Sequence, residues 1–83
     1  MKVFRVSVKI SLKPELFDPE GKTIERAIKR LGVDVDHTRV SKAVEFEIEA
    51  ENRDKALEKV QIIASKLLSN PVLHKYTIEI TEK

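Results

Sequence analysis

Apolar and polar residues alternate strictly at the start of the chain. The even positions from 4 to 12 are all apolar, and the odd positions between them are Arg5, Ser7, Lys9 and Ser11. A period of two places one set of side chains on each face of a strand. The pattern therefore predicts a half-buried strand over residues 4–12, ended by Pro14.

Similar alternation returns twice further along the chain. Residues 44–50 carry an apolar row opposite Glu45, Glu47 and Glu49, and residues 76–80 carry a second apolar row. Both stretches predict half-buried strands. Residues 35–40 alternate more weakly and predict one further short strand.

The spacing between these strands changes to that of helices. Ile24, Ala27, Ile28 and Leu31 follow the i, i+3, i+4, i+7 pattern and form one apolar stripe. Gly32 follows where a helix end favours a left-handed residue. A second, longer helix is predicted after Asn52, a suitable N-cap. Its stripe consists of Leu57, Val60, Ala64, Leu67 and Leu68.

The predicted order is β-α-β-β-α-β, that of ferredoxin-like folds. We expect one α+β domain over residues 1–83, a two-layer sandwich with two helices on one face of a four-stranded, mainly antiparallel sheet. In the spatial order 4-1-3-2 the first and third strands are neighbours. Arg5 and Lys9 would then face the glutamates of the third strand.

Composition narrows the class of protein. A chain of 83 residues buries only about 60% of its unfolded surface, so association with other chains would stabilise it. Charged residues make up 36% of the chain, a share common in thermophile proteins, but the net charge is only +2 and the signs are mixed. We therefore expect no nucleic-acid partner. We also expect a cytoplasmic protein without membrane contact, because no apolar run is long enough to span a bilayer and Met1-Lys2-Val3-Phe4 starts no secretory signal.

The chain lacks the residues that several kinds of chemistry require. The chain has no cysteine and only two glycines, so it has neither a thiol nucleophile nor a glycine-rich phosphate loop. His37 and His74 are far apart in sequence, which disfavours a zinc site. We expect no catalytic, cofactor or metal site, and we interpret the three glutamates of the third strand as a solvated or ion-paired face.

Three apolar residues stand out as candidate contacts with other chains. Ile62 lies on the polar side of the second helix, near Lys55, Lys59 and Glu58. Leu16 and Phe17 lie in the first loop, where they could close over the end of the sheet or dock onto another chain.

Four stretches carry a family resemblance. They are Leu12-Lys13 with the turn Asp18-Pro19-Glu20-Gly21, the helix end Ala27 to Gly32, the segment Val40 to Glu45, and Lys66-Leu67-Leu68-Ser69-Asn70-Pro71-Val72-Leu73 followed by Tyr76. Over nearly its full length the chain resembles the PurS family, small subunits of phosphoribosylformylglycinamidine synthase. Ser41 stands where a glycine usually precedes the lysine, here Lys42, so the role of Lys42 stays open.

The resemblance implies a non-catalytic bridging subunit. The family's complex makes formylglycinamidine ribonucleotide from formylglycinamide ribonucleotide, glutamine and ATP, with a PurQ glutaminase and a PurL synthetase that carries ATP and magnesium. PurS assembles them, is thought to assist ammonia transfer, and forms dimers or tetramers. Leu16, Phe17, Lys42 and Ile62 are the candidate interface residues, whereas Asp18, Pro19, Gly21, Asn70 and Pro71 are expected to have structural roles.

Two other functions fit the same element order. An RNA-binding module is one, although its exposed strand positions would hold aromatics rather than Arg5, Ser7 and glutamates. A small ACT-like domain that binds a metabolite between subunits is the other.

Overall fold

The computed structural model describes all residues, 1–83, and contains three antiparallel strands and two helices. The elements are β1 (Lys2–Leu12), α1 (Pro19–Arg30), β2 (Ser41–Ala50), α2 (Arg53–Ile63) with a π-helical turn at Ala64–Leu68, and β3 (His74–Glu82). The sheet order is β2-β1-β3. The predicted α+β class with two helices and a mainly antiparallel sheet is therefore confirmed. Neither helix is long and apolar enough to cross a membrane.

The core lies between β1 and α2. Phe4, Val6, Val8 and Ile10 from β1 are at most 2% exposed, because β1 is the central strand and α2 covers its apolar face. The buried residues of α2 itself are small, Ala56 and Val60, and this lets the helix approach the sheet closely. Asn52 caps α2 as predicted, accepting a hydrogen bond from the Lys55 amide at 2.9 Å.

The predicted neighbourhood of the first and third strands is confirmed, since β1 pairs with β2. Arg5 lies opposite Glu47, with 3.5 Å between Nε and Oε2. Lys9 lies opposite Ala43, so its predicted pairing with a glutamate does not form. The Arg5–Glu47 pair is exposed and contributes at most about 1 kcal/mol.

The predicted strand at residues 35–40 is absent from the chain, and the sheet has three strands rather than four. Ser41, the first residue of β2, pairs with Ser11 near the end of β1. The two strands therefore form a hairpin, and residues 13–40 are its long loop, which we call the arm. His37 adopts a left-handed φ of +54°, which interrupts extended backbone at that point.

The expectation that both helices cover the sheet is wrong for α1 within one chain. Helix α2 packs on all three strands, whereas α1 makes no comparable contact with any of them. The radius of gyration is 16.3 Å, against about 12 Å for a compact chain of this length. The molecule measures 51 × 27 × 14 Å, because the arm extends away from the sheet.

Candidate assembly surfaces

Asp18 holds the base of the arm together. It caps α1, and its carboxylate accepts hydrogen bonds from the Gly21 amide at 2.9 Å and the Val40 amide at 2.8 Å. Val40 immediately precedes β2, so one side chain connects the start of the helix to the end of the returning segment. Only 6% of Asp18 is exposed, and its carboxylate satisfies two backbone donors that have little access to water.

Glu25 repeats this arrangement two turns further along α1. It is 5% exposed and accepts hydrogen bonds from the amide and hydroxyl of Thr38, at 3.4 and 3.3 Å. The Lys22 ammonium lies 3.2 Å from its other oxygen. The returning segment is thus held against the face of α1 that carries Asp18 and Glu25.

Gly21 makes this close approach possible. A Cβ added at Gly21 would lie 2.5 Å from the carbonyl oxygen of Thr38, a distance that real Cβ atoms do not show. The glycine is required here for space, because the segment passes directly over the helix. The other glycine, Gly32, is required for conformation, since its φ of +89° ends the helix as the sequence predicts.

Arg39 also connects the two ends of the arm. Its guanidinium donates hydrogen bonds to the carbonyl oxygens of Leu16 at 2.8 Å and Lys13 at 3.0 Å. The fixed fork of an arginine suits two acceptors at once. Sequence reasoning missed Arg39, Thr38 and Glu25, because nothing in their spacing shows that residues 38–40 return to the base of α1.

The pKa of both arm carboxyls is lowered. The pKa of Asp18 lies below its usual value because the Gly21 and Val40 amides donate to the carboxylate. The pKa of Glu25 is lowered by the Lys22 hydrogen bond and the Thr38 amide. A carboxyl with a depressed folded-state pKa stabilises the fold above its unfolded pKa of about 4, and this contribution is lost as the pH falls through the folded value.

We therefore expect Asp18→Asn to make the stability of the chain less sensitive to acid. The free energy of unfolding of the parent chain should decrease as the pH falls from about 5 to about 2, and the variant should show a shallower decrease. Urea unfolding across this pH range measures both slopes. Asp36→Asn at an exposed arm carboxylate is the matched control and should keep the parent slope; equal slopes for Asp18→Asn and the parent would contradict the assignment.

The turn at Asn70 and Pro71 lies next to the base of the arm. The Asn70 side chain accepts from the Val72 amide at 2.9 Å, and the Asn70 amide donates to Nδ1 of His74 at 2.9 Å. The Lys13 amide donates to the Leu73 carbonyl at 2.9 Å, which joins this turn to the end of β1. Two of the four stretches that carry the resemblance, the one with Asp18 and the one with Asn70, are therefore brought together at one end of the sheet.

The structure separates Ile62 from the other three candidate interface residues. Leu16 is half-buried and Phe17 is 72% exposed, both at the base of the arm. Lys42 is exposed on β2 beside them, near Asp18 and His74. Ile62 is 57% exposed on α2, close to Tyr76 of β3 and apart from the others.

Part of the α1 apolar stripe faces solvent. Ile24 is 40% and Leu31 is 82% exposed, and Ala27 lies exposed between them. Val33, just beyond the helix, is 52% exposed. The returning segment covers the neighbouring face of α1 instead, where Glu25 is buried.

One flank of the sheet is also only half covered. Val44, Phe46 and Ile48 of β2 lie opposite the buried Val8, Val6 and Phe4 and therefore share the core face, yet all three are half-exposed. Lys59 marks this flank of α2, because its ammonium reaches the carbonyl of Glu49 at 3.3 Å. Ile63 lies one turn later on the same flank and is half-buried. We call these four apolar residues the β2 trough: Val44, Phe46, Ile48 and Ile63.

No group of three histidine, cysteine, aspartate or glutamate side chains is placed to hold a metal ion. Two of the three β2 glutamates on the open face, Glu45 and Glu49, form no ion pair within the chain, whereas Glu47 pairs with Arg5 and with Lys83 at 3.3 Å.

Known proteins share this architecture over its whole length. The PurS subunit of Methanocaldococcus jannaschii is 38% identical over 79 residues, covering 94% of this chain and 95% of the relative. The structure of Thermus thermophilus PurS matches with a TM-score of 0.87, 35% identity and 98% of both chains covered. A chain in the structure of PurLQS from Thermotoga maritima matches with a TM-score of 0.87, 36% identity and 100% of both chains covered.

The structural match includes the arm. The arm is about a third of the sequence, so a relative whose arm lay elsewhere could not match the whole chain this closely. The extended arm is therefore common to these solved structures. The family model for PurS, described as phosphoribosylformylglycinamidine (FGAM) synthase, matches residues 5–82, and the chain belongs to this family.

Proposed function

We propose that the chain is a bridging subunit of FGAM synthase that joins a PurL-type synthetase to a PurQ-type glutaminase and assists the passage of ammonia between them. The observation that supports this most directly is the full-length match to a chain of PurLQS from Thermotoga maritima. The proposal includes a cytoplasmic location and no membrane or nucleic-acid partner. The RNA-binding and ACT-like alternatives are not favoured, because the family match spans almost the whole chain.

In this role the chain positions the active sites of its two partner subunits. ATP and magnesium would bind to the PurL-type partner, since this chain has no glycine-rich loop to hold phosphates. Holding two active sites together keeps ammonia from escaping into water between its release and its use. The chain contributes surface, and its exposed apolar residues are the candidates for contact.

Self-association is part of the same proposal. The chain buries only 12 of its 83 residues, and a core this small gains from a second copy. Both β2 and β3 are edge strands, so a four-stranded sheet would need a strand from another chain. We expect a dimer or a tetramer in solution.

Reconstitution with the PurL and PurQ proteins of the same organism tests the bridging role. We expect glutamine-dependent formation of FGAM to need this chain, falling at least about tenfold without it, whereas ammonia-dependent formation by PurL should change little. The two nitrogen sources separate bridging from catalysis. Full glutamine-dependent activity of PurL and PurQ alone would overturn the proposal.

Variants at two exposed residues test, in the same assay, which surface contacts the partners. Phe17→Ala and Ile62→Glu change apolar side chains that the fold does not need, since they are 72% and 57% exposed. Either variant should raise the concentration of this chain that gives half-maximal glutamine-dependent activity. Arg53→Ala, at the exposed first residue of α2 and more than two turns from Ile62, is a control that should leave it unchanged.

A further inference from the structure

We propose that the open face of the sheet, at the end next to the arm, binds the phosphate group of a small phosphorylated molecule. A cleft of about 290 Å³ lies there. Its polar lining consists of three cations and two hydroxyl groups: Lys9, Arg39, Lys75, Ser11 and Ser41. We call these five residues the basic cleft. The inference concerns a ligand of this chain alone and does not depend on the bridging role.

The strand register brings four of these residues onto one face. Ser11 of β1 lies opposite Ser41 of β2 on one side and opposite Lys75 of β3 on the other. The three side chains therefore form a row across the sheet, with about 5 Å between neighbouring Cβ atoms. Lys9 lies two residues before Ser11 and points to the same face. This face is the open one, because the residue between them, Ile10, is buried in the core.

Arg39 adds a third cation from the base of the arm. Its guanidinium is held in place by the carbonyl oxygens of Lys13 and Leu16, to which it donates two hydrogen bonds. An arginine has five N–H donors, so three remain for a ligand. A cation that is already held loses less conformational entropy when it binds an anion, and the planar fork of an arginine suits phosphate oxygens.

The polar groups of the basic cleft have no partner of opposite charge within the chain. Lys9, Arg39 and Lys75 form no ion pair. The hydroxyl groups of Ser11 and Ser41 form no hydrogen bond within the chain, unlike those of Thr23, Thr38, Ser65 and Ser69. Three positive charges and two free hydroxyl donors therefore line one cleft, and charge-assisted hydrogen bonds from such groups are those that bind phosphate strongly.

The rest of the open face directs an anion toward this cleft. At the far end, Arg5 and Lys83 both pair with Glu47, at 3.5 and 3.3 Å, so their charges are compensated within the chain. Glu45 and Glu79 lie at the middle of the strands and form no ion pair. An anion is therefore repelled from the middle of the face and attracted to the end next to the arm.

The size and lining of the cleft define the class of ligand. A volume of about 290 Å³ is at the lower limit for small-molecule pockets. No aromatic side chain lines the cleft, so it offers nothing on which a nucleic-acid base could stack. The recognised part is thus the phosphate group itself, carried either by inorganic phosphate or by a small phosphate ester.

An NMR titration of the isotope-labelled chain locates the site and identifies the source of the phosphate. The probes are inorganic phosphate, glycerol phosphate and glycerol, all at constant ionic strength so that general screening does not change. We expect both phosphates to cause saturable shifts of the Ser11, Ser41 and Lys75 amides, and glycerol to cause none. Binding of the ester about fivefold tighter or more would identify a phosphate ester as the ligand, and equal affinities would identify inorganic phosphate. Saturable shifts from neither phosphate would overturn the proposal.

A pair of matched double variants tests the cations. Lys9→Gln combined with Lys75→Gln should raise the dissociation constant for phosphate at least about tenfold, and circular dichroism should be unchanged because both residues are exposed. Lys29→Gln combined with Lys66→Gln removes the same charge from exposed helix positions without ion pairs and should keep the dissociation constant within about twofold of the parent. An equal loss of affinity in both double variants would show general charge attraction and would overturn the site.

Discussion

Phe4→Ala is expected to lower the free energy of unfolding by about 3–5 kcal/mol, the range for removing a buried aromatic ring. Phe4 is 2% exposed at the centre of the core. The total stability of a chain of this size is about 4–12 kcal/mol, so the variant would lose between about a quarter and all of it. Urea unfolding at a fixed protein concentration measures the loss.

The other two phenylalanines are matched controls for the same substitution. Phe17 is 72% exposed, and Phe17→Ala should change the free energy of unfolding by no more than about 0.5 kcal/mol. Phe46 is half-exposed in the β2 trough, so Phe46→Ala should have a cost between those of the other two variants. An equal loss for Phe4→Ala and Phe17→Ala would contradict the placement of the core.

Gly21→Ala should destabilise the chain by about 2 kcal/mol, although alanine ordinarily stabilises a helix relative to glycine by about 1 kcal/mol. The new methyl group would lie 2.5 Å from the carbonyl oxygen of Thr38, and backbone cannot yield as a flexible side chain can. Hydrogen exchange should show where the damage falls: the Val40 amide, bonded to Asp18, should exchange faster than in the parent.

Gly32→Ala measures the cost of an unfavourable backbone conformation without a steric clash. At Gly32 nothing lies within 4 Å of an added Cβ, but the φ of +89° is unfavourable for alanine. This variant should lose about 1 kcal/mol and leave the exchange of the Val40 amide unchanged. A Gly21→Ala chain as stable as the parent would show that the returning segment does not pass so close to α1.

These variants bear on assembly through the arm. The base of the arm is held by buried carboxylates and an arginine, whereas its outer face is apolar and open. A rigid base with an exposed apolar face pre-orders a surface for another chain and reduces the entropy lost on binding. We therefore expect Gly21→Ala to weaken self-association as well as folding.

The sequence by itself determined the local elements. Alternation located β1 and β2 and the centre of β3, helical spacing located α1 and α2, and Gly32 and Asn52 marked helix ends. These features depend on neighbours within a few residues, where side-chain direction follows directly from spacing. The family was recognised from the sequence as well, because its motifs are short contiguous stretches.

Only the tertiary structure decided which apolar surfaces the chain itself covers. The stripe containing Ile24 and Leu31 has the spacing of a core-facing helix. From this spacing alone, we expected the stripe to pack on the sheet of the same chain. The contacts of Asp18 and Arg39 with residues more than 20 positions away close the base of the arm, and α1 makes no comparable contact with the sheet. A hydrophobic pattern shows that a face must be covered but does not show which chain covers it, since burial in the same chain and in a second copy stabilises the same side chains.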